Sequence, residues 1–290
     1  MTLIEWITNP GTTSTPTTVP KDGLLRGVGS KQITLNYTGS DSAITVTPNV
    51  RWLRNEQTGE NIFTDWTKTA VIENLIIDGQ GSTNAIGIKL EDVYNCIVRN
   101  VTIKNFEVGI KLSATDKYDV VGGNPVSTGG AVRNFSEMNT IKHVRLENVK
   151  TGILFDTGTG DGSFAFTKID DVGIQLKNDS SAVGIQVGNT TDTSVAIAHP
   201  YSSFMRAHVW IQSAGGTGLR LRRGEIKYGL TSLTVNGPSN GYGADLSAGN
   251  ANDCITGNQI SGFYLTCAGI AAANRVIGSV SHDIDFDQSY

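Results

Sequence analysis

CIVRNVTIKNFEVGIKL, residues 96–112, carries short runs in which apolar and polar residues alternate, broken by Asn100, Asn105 and Gly109. Alternation with a period of two over four to six residues is the mark of a half-buried β-strand. The closing GIKL (Gly109–Leu112) repeats the GIKL at Gly87–Leu90, and variants follow: GILF at Gly152, GIQL at Gly173, GIQV at Gly184 and GLRL at Gly218. Longer copies of the same text begin at VIENLIIDGQ (from Val71), TIKHVRLENVKTGILF (from Thr140) and FTKIDDVGIQL (from Phe166).

The spacing of these copies sets the architecture. Asn74 and Asn100 are 26 residues apart, Gly87 and Gly109 are 22 apart, and Gly152 and Gly173 are 21 apart. Asn100 to His143 and Gly109 to Gly152 are both 43, read as two turns of a coil of 22 that include the polar excursion TDKYDVVGGNPVSTGG (Thr115–Gly130). Gly218, Gly243 and Gly269 continue at 25 and 26, whereas the step of 11 from Gly173 to Gly184 assigns Gly184 to another face. Leucine-rich horseshoes have repeats of this size, but their L-x-x-L-x-L-x-x-N framework is missing. Short strands joined by turns, coil stacked on coil with strands ~4.8 Å apart, satisfy both length and alternation.

In that arrangement Ile88/Leu90, Ile110/Leu112, Ile153/Phe155 and Ile174/Leu176 stack inside, and Lys89, Lys111, Leu154 and Gln175 point out. Gly87, Gly109, Gly152, Gly173 and Gly218 are then structural corner residues, where positive φ or crowding excludes a Cβ. The expected fold is all-β, a single-stranded parallel β-helix of ten or eleven rungs over residues 24–290. Residues 1–23 form a cap and arm: LIEWI (Leu3–Ile7) covers the open first rung, and the Thr/Pro-rich NPGTTSTPTTVP (Asn9–Pro20) is extended.

LLRGVGSKQITL followed by IENLIIDGQGSTNAIGIKLEDVYNCIVRNVTIKNFEVGIKL resembles the right-handed parallel β-helix of pectate-lyase-like proteins, above all viral tailspikes, tail-fibre tips and adhesins. The rung pattern I-x-x-N-x-x-I-x-x-F-x-x-G-I-x-L is met by Ile97, Asn100, Ile103, Phe106, Gly109, Ile110 and Leu112. His143 replaces the Asn in the next copy, and Ile169-Asp170 breaks the pattern after it. The resemblance implies right-handed winding, a virion or extracellular location and a homotrimer with other virion tail proteins as neighbours. The fold itself hosts lyases, hydrolases, epimerases and inert binders, so it does not choose among them.

The bulk numbers narrow the field from the other side. Of 290 residues, 38% are hydrophobic, only 17% are charged and 34 are Gly, with a formal net charge of −4. Arg220, Arg222 and Arg223 make the densest basic patch, which reads as the exposed side of a strand rather than a nucleic-acid stripe. No apolar run reaches membrane-spanning length, so no membrane insertion is expected, and MTLIEWITNP lacks the pattern of a secretory signal. Cys96, Cys254 and Cys267 suggest buried thiols, with a Cys254–Cys267 bridge open if their strands adjoin.

Three functional readings stay open. A glycosidase needs two carboxylates ~5 Å apart for retention or ~6.5–9.5 Å for inversion. Asp170 and Asp171, with Asp156, are the candidate set, weighed against turn acids that cap exposed N–H groups. Pectin hydrolases of the resembled family also carry Gly-His-Gly and Arg-x-Lys, which this chain lacks. His143, His199, His208 and His282 show no metal-ligand spacing, and neither metal nor cofactor is expected. A binding protein for host cell-surface polysaccharide or glycoprotein would instead use outward Lys, Thr, Asn, Gln and Asp with Trp52, Trp66, Tyr118, Trp210, Tyr228 or Tyr242 as stacking faces. The third reading is a purely structural spike component.

Overall fold

The computed structural model describes the chain except residues 1, 8–10, 29–31, 49–51, 55–60, 64–68, 81, 83, 115–117, 122–123, 128–133, 158–161, 189–197, 201, 223, 227, 248–258, 261, 279–285 and 288–290. Among the described residues there is no α-helix, only strands and one 3-10 turn at Ala272–Asn274. The strands build two long parallel sheets, one of twelve strands and one of nine, with short parallel pairings on a third side. The chain visits them in turn, as in the coil of Ile97–Lys104 in the first sheet, Val108–Ala114 in the second and Asn134–Phe135 in the third. This is a parallel-strand solenoid.

Its core is a set of apolar columns. In the second sheet Ile44, Ile88, Ile110, Ile153, Ile185, Leu219 and Ala244 lie in register, and all are fully buried. In the first sheet Leu75, Val101, Val144 and Val172 form one such column, and Ile77, Ile103, Leu146, Ile174, Val209 and Val235 another. Each coil alone has no core, so its apolar face is hidden only by its neighbours.

The Asn of the rung pattern has a backbone reason. Asn74, Asn100, His143 and Asp171 stand at equivalent places in successive first-sheet strands, and all four have positive φ, between 52° and 58°. A left-handed residue inside a strand shifts the alternation by one, so Val98, Val101 and Ile103 all point inward despite their uneven spacing. Asn and Asp tolerate this conformation better than most side-chain-bearing residues. The column stops at Asp171, because the next strand pairs Met205 and Ala207 with Ile169 and Val172.

The expected corner glycines divide: four of the five share one column, and Gly173 does not. Gly87, Gly109, Gly152, Gly184, Gly218 and Gly243 form one column, each packed so that an added Cβ would run into the backbone of the next coil. At Gly109 it would lie 2.7 Å from the Gly152 oxygen, and at Gly184 2.5 Å from the Gly218 oxygen. Crowding alone explains this column, since none of its members has positive φ. Gly173 is not a member: it lies in the first sheet, within Lys168–Leu176, and Gly184 takes the place expected for it. Ile174/Leu176 and Gln175 move with it to the first sheet, and Gln186 is the residue in register with Leu154.

Two other expectations change. Ile97 pairs directly with Thr140, so the 43-residue interval is one coil with a long insertion, not two coils. Within that insertion Tyr118–Val121 and Asn124–Ser127 form an antiparallel hairpin. At the N-terminus Thr2–Ile7 pairs in parallel with Gly23–Gly27 and does cover that strand. The segment expected to be an arm also joins the stack, since Gly11–Thr13 pairs with Ile33–Tyr37 and Thr17–Val19 with Ser42–Val46.

Cys96 is fully buried, which pushes its thiol up to about 12, and Cys267 is also a free thiol. Cys254 lies outside the described residues.

Candidate functional site

The outward face of the first sheet carries its own columns. One runs Thr102, Arg145, Gly173, His208 and Thr234, and its neighbour runs Lys104, Glu147, Gln175, Trp210 and Asn236. Gly173 is a gap in the first of these columns, because the residues on either side, Arg145 and His208, both bring long or bulky side chains. The indole of Trp210 leans across that gap: a Cβ on Gly173 would sit 3.4 Å from Trp210 Cζ3, in ordinary contact.

His208 holds the indole in place. The two rings stack with centroids 3.9 Å apart and planes 16° from parallel. The Asn236 side-chain amide lies 3.0 Å from His208 Nε2, where it donates to the unprotonated nitrogen. Burial also lowers the His208 pKa, so geometry and desolvation both favour neutral imidazole. One face of the indole is thus fixed, while Trp210 remains 39% exposed.

Two adjoining depressions open around this pair. One, of about 450 Å³, is lined by His143, Arg145, Asp171, Gly173, Arg206, His208, Trp210 and Thr234. The other, of about 460 Å³, is lined by Arg145, Glu147, Gly173, Gln175, Trp210 and Gln212. Arg145, Gly173 and Trp210 belong to both, so the two form one shallow groove divided by the indole.

The carboxylates named from sequence separate. Asp171 is exposed on the groove wall, with its Oδ2 3.4 Å from His143 Nε2. Asp170 is buried beside it and held by Arg206 at 2.6 Å, with Lys168 at 3.7 Å and Lys142 at 3.9 Å. Asp156 lies in the second sheet, paired with Lys111, so the three do not share a face. Of the aromatic candidates, Trp210 alone lines the groove, while Tyr228 is 83% exposed at the corner before Leu230–Asn236. Trp52 and Tyr118 lie in the strands of two antiparallel hairpins, and Trp66 lies outside the described residues. Among the described residues no three His, Cys, Asp or Glu side chains come together as a metal site.

Sequence reading missed Arg145, His208 and Gly173 as neighbours of Trp210. A signal was present: Thr102, Arg145 and Gly173 each follow the left-handed position by two residues.

No family model matches the chain and no curated protein matches it. Among solved structures it is similar to ORF18 of Geobacillus virus E2, with a TM-score of 0.35 and 14% identity, over 97% of this chain and 53% of that one. The chain therefore spans little more than half of that protein, and a superposition this loose assigns neither function nor partner.

Proposed function

We propose that the protein is a virion-associated, host-surface recognition protein that binds cell-surface glycan in the groove at Trp210. The observation that carries this reading is the indole itself: one face is braced by His208, and the ring stands half-exposed over Gly173 among hydroxyl-matching polar groups. A flat apolar ring presented rigidly beside Arg145, Asp171, Gln175 and Thr234 suits a sugar, whose faces are apolar and whose rim is polar. The virion location, the right-handed winding and a homotrimer belong to the same proposal and draw on the resemblance of the rung pattern to tailspikes and adhesins.

A depolymerase is the alternative, and one observation favours it: Asp171 and His143 face the same groove as Trp210. Against it, Asp170 and Asp156 are engaged by cations, which leaves Asp171 without a second candidate carboxylate from that set. Incubation with isolated host envelopes, scored for retention of protein and for release of reducing or unsaturated sugars, separates the readings. Retention that falls in Trp210→Ala, without sugar release, is the expected result. Release that disappears in Asp171→Asn would replace binding with turnover, and neither retention nor release would favour a structural spike component.

A further inference from the structure

The groove's charge says which sugar it suits, and this inference rests on the glycan-binding reading. Most of the cations that could have made an anion-binding face are already neutralised. Lys89 pairs with Glu91, Lys111 with Asp156, and Arg220 and Arg222 with Asp245. In the groove, Arg206 is engaged by Asp170. Arg145 differs: it is exposed, lines both depressions, and makes no ion pair or hydrogen bond among the described residues.

Its backbone position relative to the indole is set by the sheet. Arg145 and Gly173 are register partners on adjacent strands, ~4.8 Å apart, and the Trp210 ring covers Gly173. The Arg145 backbone is therefore one strand spacing from the residue that the ring covers, and Arg145 and Trp210 line the same two depressions. A pyranose stacked on that ring would present an equatorial substituent toward Arg145. We infer that the groove takes an acidic sugar, with its ring on Trp210 and its carboxylate on Arg145.

A carboxylate matches the guanidinium fork with two parallel N–H···O bonds, a geometry that a neutral hydroxymethyl group cannot reproduce. Glu147 and Asp171, two residues to either side of the Arg145 column, are placed to accept hydrogen bonds from sugar hydroxyls. They also oppose a second anionic group, so the recognised unit carries one carboxylate. Arg145 is here a specificity-determining residue.

The test uses the full chain and two matched probe sets: oligosaccharides containing uronic or sialic acid, and the same oligosaccharides with their carboxyl groups reduced to alcohols. Wild-type protein should bind the acidic set at least about tenfold more tightly. Arg145→Gln should erase that preference, bringing the affinities for the two sets together, and Arg145→Lys should restore only part of it. Trp210→Ala should weaken both sets. Equal binding of the two sets by wild type, or an acidic preference that survives Arg145→Gln, overturns the acidic-sugar inference and leaves glycan binding standing. Failure of wild type to bind either set contradicts both.

Discussion

The imidazole of His208 lies flat on the indole of Trp210, 3.9 Å between centroids, with Asn236 donating to its Nε2. The two stacked residues are separated by one position in the same strand, Phe204–Trp210, and both face outward. Outward residues on a solenoid are ordinarily solvated singly. Here one has been used to brace the other.

That bracing has a pH signature. Burial lowers the His208 pKa below its ordinary 6.5, so the unfolded chain takes up a proton before the folded one does. His208 therefore contributes stability that is fully present above pH 6.5 and declines as pH falls from there toward the folded pKa. Asp78, Asp179 and Asp245 act elsewhere, since their pKa values lie below 3.8 and their contribution is lost only as pH falls beneath that value. Melting temperature measured against pH should separate wild type from His208→Gln by slope below pH 6.5, with parallel curves above it.

The glycine column supplies a stability test with a built-in control. Gly184→Ala would place a methyl 2.5 Å from the Gly218 carbonyl oxygen and 2.7 Å from Val209, with backbone that cannot step aside without moving the next coil. Overpacking of this kind costs about 1–3 kcal/mol or more. Gly173→Ala meets only the Trp210 ring at 3.4 Å and should change stability by less than about 0.5 kcal/mol. Urea denaturation of both variants checks the contrast.

Asn100 holds the alternation shift with φ of 53°. Asn100→Gly should leave stability close to wild type, because glycine enters the left-handed region without strain. Asn100→Val forces a β-branched residue into it and should cost roughly 1–2 kcal/mol. Equal midpoints for the two variants, both below wild type, would show that the side chain, not the backbone, is what Asn100 provides.

Glu73 is 2% exposed in its outward-facing position, held by Arg26 and by Arg99 at 2.5 Å. Removing both arginines leaves a buried carboxylate without these partners and should cost about 3–5 kcal/mol. Glu73→Ala should cost less, because the two arginine side chains are 37% and 49% exposed and their guanidinium groups can turn to water. Denaturation midpoints of the single and double variants give the order.

How much of this was legible in the sequence depends on whether the signal was local. The inward pairs Ile88/Leu90, Ile110/Leu112 and Ile153/Phe155 were, because alternation and a glycine one residue earlier repeat at regular intervals. GIQL at Gly173 and GIQV at Gly184 defeated the same reading. Both begin Gly-Ile-Gln, yet one sits in the first sheet and the other in the second, and only the register of neighbouring strands tells them apart. The 43-residue interval misled for a related reason: it is close to twice the coil length, although its extra residues form an insertion. The groove was hidden further, since Arg145, Gly173, His208 and Thr234 come from four successive coils and share no contiguous motif.

Two of the aromatic residues named from sequence are exposed and compete for the central role, and their positions make them separable. Trp210 stands in the groove, and Tyr228, 83% exposed, stands at a corner outside it. The decisive measurement is calorimetric titration of a host-envelope polysaccharide that wild-type protein retains, repeated with Trp210→Ala and Tyr228→Ala at equal melting temperature. Loss of at least about tenfold in affinity for Trp210→Ala, with Tyr228→Ala unchanged, is the predicted result. Wild-type affinity in Trp210→Ala, or binding abolished by Tyr228→Ala alone, would contradict the account.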